Sequence, residues 1–163
     1  MRMGLVPPAM EMGDGTAPVA RKSRMKKITE CLIQDLPRIS DPRGNLTFLQ
    51  QGDQLPFPIK RVHWIYEVPG GDSRGGHAFR HGQEFIISLS GSFDVEVDDG
   101  EERKTITLNR SYFGLYVPGT LWRHVKNFST NAVCLTLCSH PYSEEDYIRD
   151  YDEFLTFRKR GGK

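Results

Sequence analysis

Residues 71–91, GDSRGGHAFRHGQEFIISLSG, set the fold. Gly71 is followed by five residues and His77, by one more and Phe79, by four more and Glu84, then by six and Gly91. Residues two apart on a strand project to the same face, so His77 and Phe79 are expected to point together toward one side of a sheet. The glycines stand where the chain must turn at the strand ends. EFIISLS reads as the next strand of the same sheet system.

The same pattern of short runs and turn signals extends in both directions. TECLIQ is followed by DPRG, NLTFLQ by GDQLPFP, and IKRVHWIYEV by PGGDSRGG. After Gly91 come SFDVEV, DDG, RKTITL, FGLYVPG, LWRHVKNF and AVCLTLCSH. Runs of about four to eight residues rich in Val, Ile, Thr, Phe and Tyr, punctuated every 8–12 residues or so, predict an all-β sandwich or barrel. SFDVEVDDGEERKTITL is the clearest hairpin: Phe93, Val95 and Val97 alternate with polar residues, and Asp99-Gly100 signals the turn. Its acidic run Asp98, Asp99, Glu101, Glu102 is expected to be a solvated tip. Only the C-terminus predicts a helix. Ser143 is the expected cap with Asp146 as its capping-box partner, Glu144 and Glu145 lie at the positive end of the dipole, and Arg158, Lys159 and Arg160 at the negative end. Tyr147, Tyr151, Phe154 and Leu155 would form its packing face.

At 163 residues the chain is long enough for one domain with a real core. All five methionines fall within the first 25 residues, a stretch rich in Gly, Pro and Ala with no structural period. Residues 1–25 are therefore expected to be a disordered extension, or sequence upstream of a start at Met25, and residues 26–163 the folded domain. Lys plus Arg number 22 against 21 Asp plus Glu, so no global field attracts nucleic acid or an anionic membrane. Apolar runs are far shorter than the roughly 20 residues of a membrane span. Three cysteines give no disulfide framework. A soluble cytoplasmic protein with reduced thiols is expected.

The spacing in residues 71–91 resembles the first signature of cupin barrels, with Phe79 where a second histidine stands in that signature. GLYVPGTLWRHVKN resembles a loose second signature, with Pro118 and Gly119 at the turn and His124 on the following strand. DPRGNLTFLQ, PFPIKRVHWIYEVPGG, RGGHA, LSGSFDVEVDDG, TLNR, GLYVPGTLW and HPYSEEDYIRDYDEFL together resemble the TDP-4-keto-6-deoxyglucose 3,4-ketoisomerase family, the WxcM-like C-terminal domains, from about Asp35 to Phe157. The resemblance implies a cupin-type jelly roll (a double-stranded β-helix) with a short C-terminal α-helix, and a homodimer. It also implies a reaction moving a ketone between C4 and C3 of a TDP-linked 6-deoxyhexose, without metal or other cofactor, that feeds unusual sugars into surface glycans.

Such a shift needs a base at the carbon beside the carbonyl and stabilisation of an enediol, work suited to histidine near neutral pH. The family pattern RGxHAHK is here Arg74-Gly75-Gly76-His77-Ala78-Phe79-Arg80, so His77 is retained and the second histidine is not. KRVYYI becomes Lys60-Arg61-Val62-His63-Trp64-Ile65, and a Glu-Gln pair is reversed as Gln83-Glu84. His63 and His81 are the candidates to replace the missing proton carrier, although a lone histidine of this kind more often reads as a surface or satisfied polar residue. A diphosphate calls for cationic donors, for which Arg43, Arg61, Arg74, Arg80 and Arg123 stand near predicted strand ends or turns. Gln83 joins this substrate-binding set, and Trp122, Trp64 or Tyr116 is expected to stack on the base or line the sugar face. Cys134, Cys138 and His140 share a strand parity but no zinc spacing, so core packing is expected of the thiols. Two other functions stay open. One is a catalytically silent sugar-nucleotide-binding cupin, supported by Phe79. The other is a metal-dependent cupin enzyme using His77, Glu84 and His124, although His124 lies one residue out of the cupin register, which turns a strand side chain to the other face.

Overall fold

The computed structural model describes residues 24–50 and 52–162, so the extension expected over 1–25 lies outside the described residues except for its last two. Of those, Met25 packs against the C-terminal helix cluster, and the Lys26 backbone N–H donates to the Thr120 hydroxyl at 2.9 Å.

Among the described residues twelve strands follow: β1 Leu32–Asp35, β2 Arg38–Asp41, β3 Gly44–Thr47, β4 Arg61–Ile65, β5 Arg74–Phe79, β6 Glu84–Ser90, β7 Phe93–Asp98, β8 Arg103–Leu108, β9 Phe113–Val117, β10 Trp122–Lys126, β11 Val133–Cys138 and β12 Tyr147–Ile148. One helix, α1 Tyr151–Lys159, ends the domain. Two five-stranded antiparallel sheets, ordered β1-β9-β6-β11-β4 and β12-β5-β10-β7-β8, face each other. This is the expected jelly roll of cupin type.

Alternation builds the core between the sheets. Ile86, Leu115, Val117 and Cys134 from the first sheet meet Phe93, Val95, Val97, Leu108 and Val125 from the second. The residues between them point outward and are covered twice. Leu36, Leu55 and Phe57 cap Phe85, Ile87 and Leu137 on the first sheet. Helix α1 lays Phe154 and Phe157 over Ala78 and Ile148 on the second. The ribbon β2–β3 pairs only with itself among the described residues and leaves Ile39 and Leu46 exposed.

The expected hairpin is β7–β8, paired from Phe93↔Leu108 to Asp98↔Arg103. Half of its acidic tip is solvated as expected, Glu101 and Glu102 being exposed, but the two aspartates are not. Asp98 and Asp99 are buried, Asp99 accepting the N–H groups of Glu101, Glu102 and Ile28 and Asp98 receiving Arg103 and the Tyr151 hydroxyl. The C-terminal helix starts later than its sequence signals predict. Ser143 precedes only a 3-10 turn, Glu144–Asp146, and makes no side-chain cap bond. The Asp146 carboxylate instead accepts the backbone N–H groups of His81 and Gly82 at 2.7 and 3.0 Å. The chain then extends as β12, Tyr147 opposite Phe79 and Ile148 opposite Ala78. Asp150 caps α1, its side chain accepting the Glu153 N–H at 2.8 Å. No helix among the described residues is long and apolar enough to cross a membrane.

Candidate active site

Six strands send polar side chains into one end of the barrel interior. On β4 the odd residues Arg61, His63 and Ile65 turn inward and are half-buried, while Val62 and Trp64 are exposed. Opposite β4, β5 contributes His77 and Phe79, and its edge partner β12 contributes Tyr147. Glu84 opens β6, Arg123 lies on β10 and Cys138 closes β11.

The deepest feature is an ion pair. Arg123 donates through Nε and Nη2 to the two Glu84 carboxylate oxygens, both at 2.6 Å, with side chains only 4% and 1% exposed. Burial works against the Arg123 charge, but the adjacent carboxylate outweighs it and raises the guanidinium pKa. A third bond runs from Arg123 Nη1 to the Gly75 carbonyl at 3.2 Å. Gly75 has φ +70°, and a Cβ there would stand 2.1 Å from Arg123 Nη1, so a side chain at position 75 would strain the backbone and push the guanidinium out of place.

Above this pair sit two uncharged imidazoles. His77 is 5% exposed, and its Nε2 is buried with no hydrogen-bond partner. Burial pushes its pKa strongly down, and the Arg123 and Arg149 cations push it further. Its ring centroid lies 4.8 Å from both Phe79 and Tyr147. His63 is likewise depressed, first by burial and then, against the opposing pull of Glu84, by Arg123 and Arg61. Its Nδ1 lies 3.7 Å from the Cys138 sulfur. At neutral pH both rings are proton acceptors.

Arg61 completes the cluster. Its Nη2 donates to the Tyr147 hydroxyl at 3.0 Å and to Cys138 Sγ at 3.3 Å, while its Nε is buried without a partner. Because β4 and β12 are the outer strands of opposite sheets, the Arg61–Tyr147 bond spans the seam between them. Among the described residues no carboxylate lies within salt-bridge distance of Arg61, whereas Glu84 neutralises Arg123 and Glu144 neutralises Arg149. The cluster thus carries one unbalanced cation with an unfilled donor, the electrostatic setting for an anionic ligand or intermediate.

Of the sequence-predicted site residues, the structure brings together His77, His63, Arg61 and Arg123, although Arg123 is committed to Glu84. The others lie elsewhere, and alternation or local bonding explains each. His81 sits exposed in the β5–β6 turn, beside a cavity of about 440 Å³ that His140 and Tyr142 also line. Arg80 bonds Glu153 at 2.6 Å and the Glu145 carbonyl and lies over the Phe157 ring, clamping α1 to the barrel. Tyr116 points to the outer face of the first sheet, where its hydroxyl donates to Gln83 Oε1 at 2.6 Å. Trp122 faces outward beneath α1, 5.2 Å from Tyr151 and 5.6 Å from Phe154. Arg43 bonds Asp41 at the tip of the exposed β2–β3 ribbon, and Arg74 is exposed at the start of β5. Trp64 is 59% exposed on the outer face of β4.

The alternative metal set is not assembled. Arg123 points inward on β10, so its neighbour His124 points outward, away from His77 and Glu84; both Glu84 oxygens are occupied by Arg123. No group of three His, Cys, Asp or Glu residues among the described residues is placed to hold a metal ion.

Two members of the cluster are not legible as site residues from the sequence. Tyr147 belongs to a two-residue strand, too short for any periodic signal, inside a stretch whose charges read as a helix start. Cys138 is buried as expected of a core thiol, yet its sulfur meets Arg61 and His63 rather than aliphatic neighbours. The inward parity that Cys138 shares with Thr136 was its available signal.

The profile of the family FdtA: WxcM-like, C-terminal, matches residues 29–159. The TDP-4-oxo-6-deoxy-alpha-D-glucose-3,4-oxoisomerase of Aneurinibacillus thermoaerophilus is 39% identical over 125 residues, 77% of this chain and 90% of the relative. The structure of WlaRB, a TDP-quinovose 3,4-ketoisomerase from Campylobacter jejuni, is 42% identical and superposes with a TM-score of 0.75 over 79% of this chain and 99% of that one. A mutant of the 3,4-ketoisomerase QdtA from Thermoanaerobacterium thermosaccharolyticum, solved with TDP-4-keto-6-deoxyglucose, is 32% identical with a TM-score of 0.80, covering 82% and 97% of the two chains.

Proposed function

The chain belongs to the FdtA family of WxcM-like C-terminal domains, and on that basis we propose that it is a nucleotide-sugar 3,4-ketoisomerase. Its substrate is a TDP-linked 4-keto-6-deoxyhexose. The observation that carries the proposal is the pairing of two neutral imidazoles, His77 and His63, with the unbalanced guanidinium of Arg61 in one barrel end.

Isomerisation breaks the C3–H bond and forms C3=C4 as the carbonyl electrons move to O4. The carbon proton needs a neutral acceptor, which both imidazoles supply. Charge on the enediolate oxygen needs a preorganised cation, which the half-buried Arg61 supplies. His63 takes over the proton transfer that Phe79 cannot perform, reaching the sugar from the opposite sheet. Asparagine at position 63 should therefore slow turnover by about 100- to 10,000-fold while the protein still binds TDP. Wild-type-like turnover in that variant, followed by NMR, overturns the assignment. A second function, silent nucleotide-sugar binding, is favoured by Phe79 alone; it predicts TDP binding with no turnover in the parent protein.

The working unit is a homodimer. Support comes from exposed apolar residues on one side of the molecule, among them Val62, Trp64 and Tyr66, together with Phe48 in an open cavity of about 770 Å³ between the β2–β3 ribbon and the outer face of the first sheet. Three unpaired thiols support a reducing, cytoplasmic setting.

A further inference from the structure

The histidines handle protons at carbon, but a ketone shift also moves protons at oxygen: O4 must gain one and O3 must lose one. Deepening the isomerase proposal, on which it rests, we infer that Tyr147 is a catalytic residue that carries this oxygen proton. Its hydroxyl is held at 3.0 Å by Arg61 Nη2, and its ring lies 4.8 Å from His77 and 4.6 Å from Phe79. Alternation on β12 forces the orientation: Ile148 is fully buried under α1, so Tyr147 turns into the barrel. The Arg149 guanidinium lies over the ring, 4.3 Å from the centroid. The Arg61 cation thus holds the hydroxyl by a hydrogen bond and the ring lies beside the imidazole that takes part at carbon, while burial raises the phenol pKa and keeps it protonated, ready to donate, at neutral pH.

The step balances within the site. An imidazole takes the C3 proton, the C–H pair forms C3=C4, and O4 takes the Tyr147 hydroxyl proton, leaving a phenolate against Arg61. The phenolate then removes the O3 proton. The O3–H pair forms C3=O, and C4 takes the proton from the imidazolium. Tyrosine and histidine return to their starting forms, and no other reactant is consumed.

A seam-bridging tyrosine with a purely structural role would lower every step together, so the test reads two steps at once. Full-length Tyr147→Phe protein is incubated in heavy water with TDP-4-keto-6-deoxyglucose, and C3 deuteration and 3-keto product are followed by NMR. Product formation should fall about 100-fold or more, and the ratio of exchange to product should rise about tenfold, because the carbon base is intact. Product formation within about threefold of the parent, or an equal fall in both rates, overturns the inference. Should Tyr147→Phe fail to fold, 2,3-difluorotyrosine at position 147 preserves the packing and makes the hydroxyl more acidic. The alkaline limb of its rate profile should move to lower pH, and an unmoved limb overturns the inference. A parent protein showing neither exchange nor product overturns the isomerase proposal itself, whereas an active parent with an equally active Tyr147→Phe variant overturns only this step.

Discussion

Glu84 and Arg123 are each the other's solution to a burial problem. Either charge alone, less than 5% exposed in the barrel, would lack the hydration it has in water. Arg123→Met strands the carboxylate and should destabilise the fold by about 3–5 kcal/mol in urea unfolding; the double variant Glu84→Leu/Arg123→Met should recover most of that loss. An unrecovered double variant would mean that the pair contributes through its geometry, including the Gly75 contact, rather than through mutual neutralisation. Phe79 is the complementary case, an apolar ring where the family pattern has a proton carrier. Since its ring already contacts His77 and Tyr147, Phe79→His places an imidazole in the cluster and should raise turnover about tenfold or more, measured as 3-keto product per enzyme; no gain would mean that the pocket has adapted to the phenylalanine. At this scale the sequence was readable where strand parity applies. Parity puts His77 with Phe79 on one face, but whether His63, Arg61 and Arg123 face the barrel interior is decided by the fold. What parity does not tell is which cation is already spent: Glu84 and Arg123 are 39 residues apart, and only the fold reveals that each satisfies the other.

Among the elements, the short β12 matters most, because it delivers Tyr147 and hands the chain to α1. The acidic run Glu144–Asp146 and Ser143 carry the signature of a helix start, but Asp146 is drawn off by the N–H groups of the β5–β6 turn. The capping function passes to Asp150, whose removal by Asp150→Ala should cost about 1 kcal/mol in thermal or urea unfolding, while Ser143→Ala should be near neutral. Equal effects of the two substitutions would contradict the assignment of the cap. The β7–β8 hairpin shows the opposite balance. Its strands and turn are fully legible from alternation and Asp99-Gly100, yet Asp98 and Asp99 at its tip are buried because three backbone N–H groups and Arg103 converge on them, while Glu101 and Glu102 stay exposed. Local pattern identifies elements with a repeating period; it is silent where distant partners decide the bonding.

Taken whole, the molecule keeps a neutral imidazole where water does not reach, and its stability must depend on pH. The His77 pKa is depressed in the fold from an ordinary 6.5, so below pH 6.5 the unfolded chain binds a proton that the native state does not. Stability is complete above that value and is lost as pH falls, at about 1.4 kcal/mol per pH unit for one such group. Urea unfolding at successive pH values should show this slope, and His77→Leu should flatten it; an unchanged slope would place the acid sensitivity elsewhere. The exposed Trp64 and Phe48 set a second whole-molecule expectation. The protein should elute with the mass of a dimer by light scattering, and Trp64→Glu should shift it toward monomer without loss of secondary structure. The all-β sandwich or barrel was legible from run length and turn spacing, because two packed antiparallel sheets impose the same period on every strand; the jelly roll within that class was legible only through the resemblance of residues 71–91 to the cupin signature and of the chain to its family.

The most direct test of isomerase chemistry at this site is proton NMR of the purified protein with TDP-4-keto-6-deoxyglucose in heavy water. The C3 proton signal should disappear as a 3-keto sugar accumulates. Shifts of the nucleotide signals with the C3 proton intact and no new ketone would contradict that chemistry and leave a barrel that binds the sugar nucleotide without transforming it.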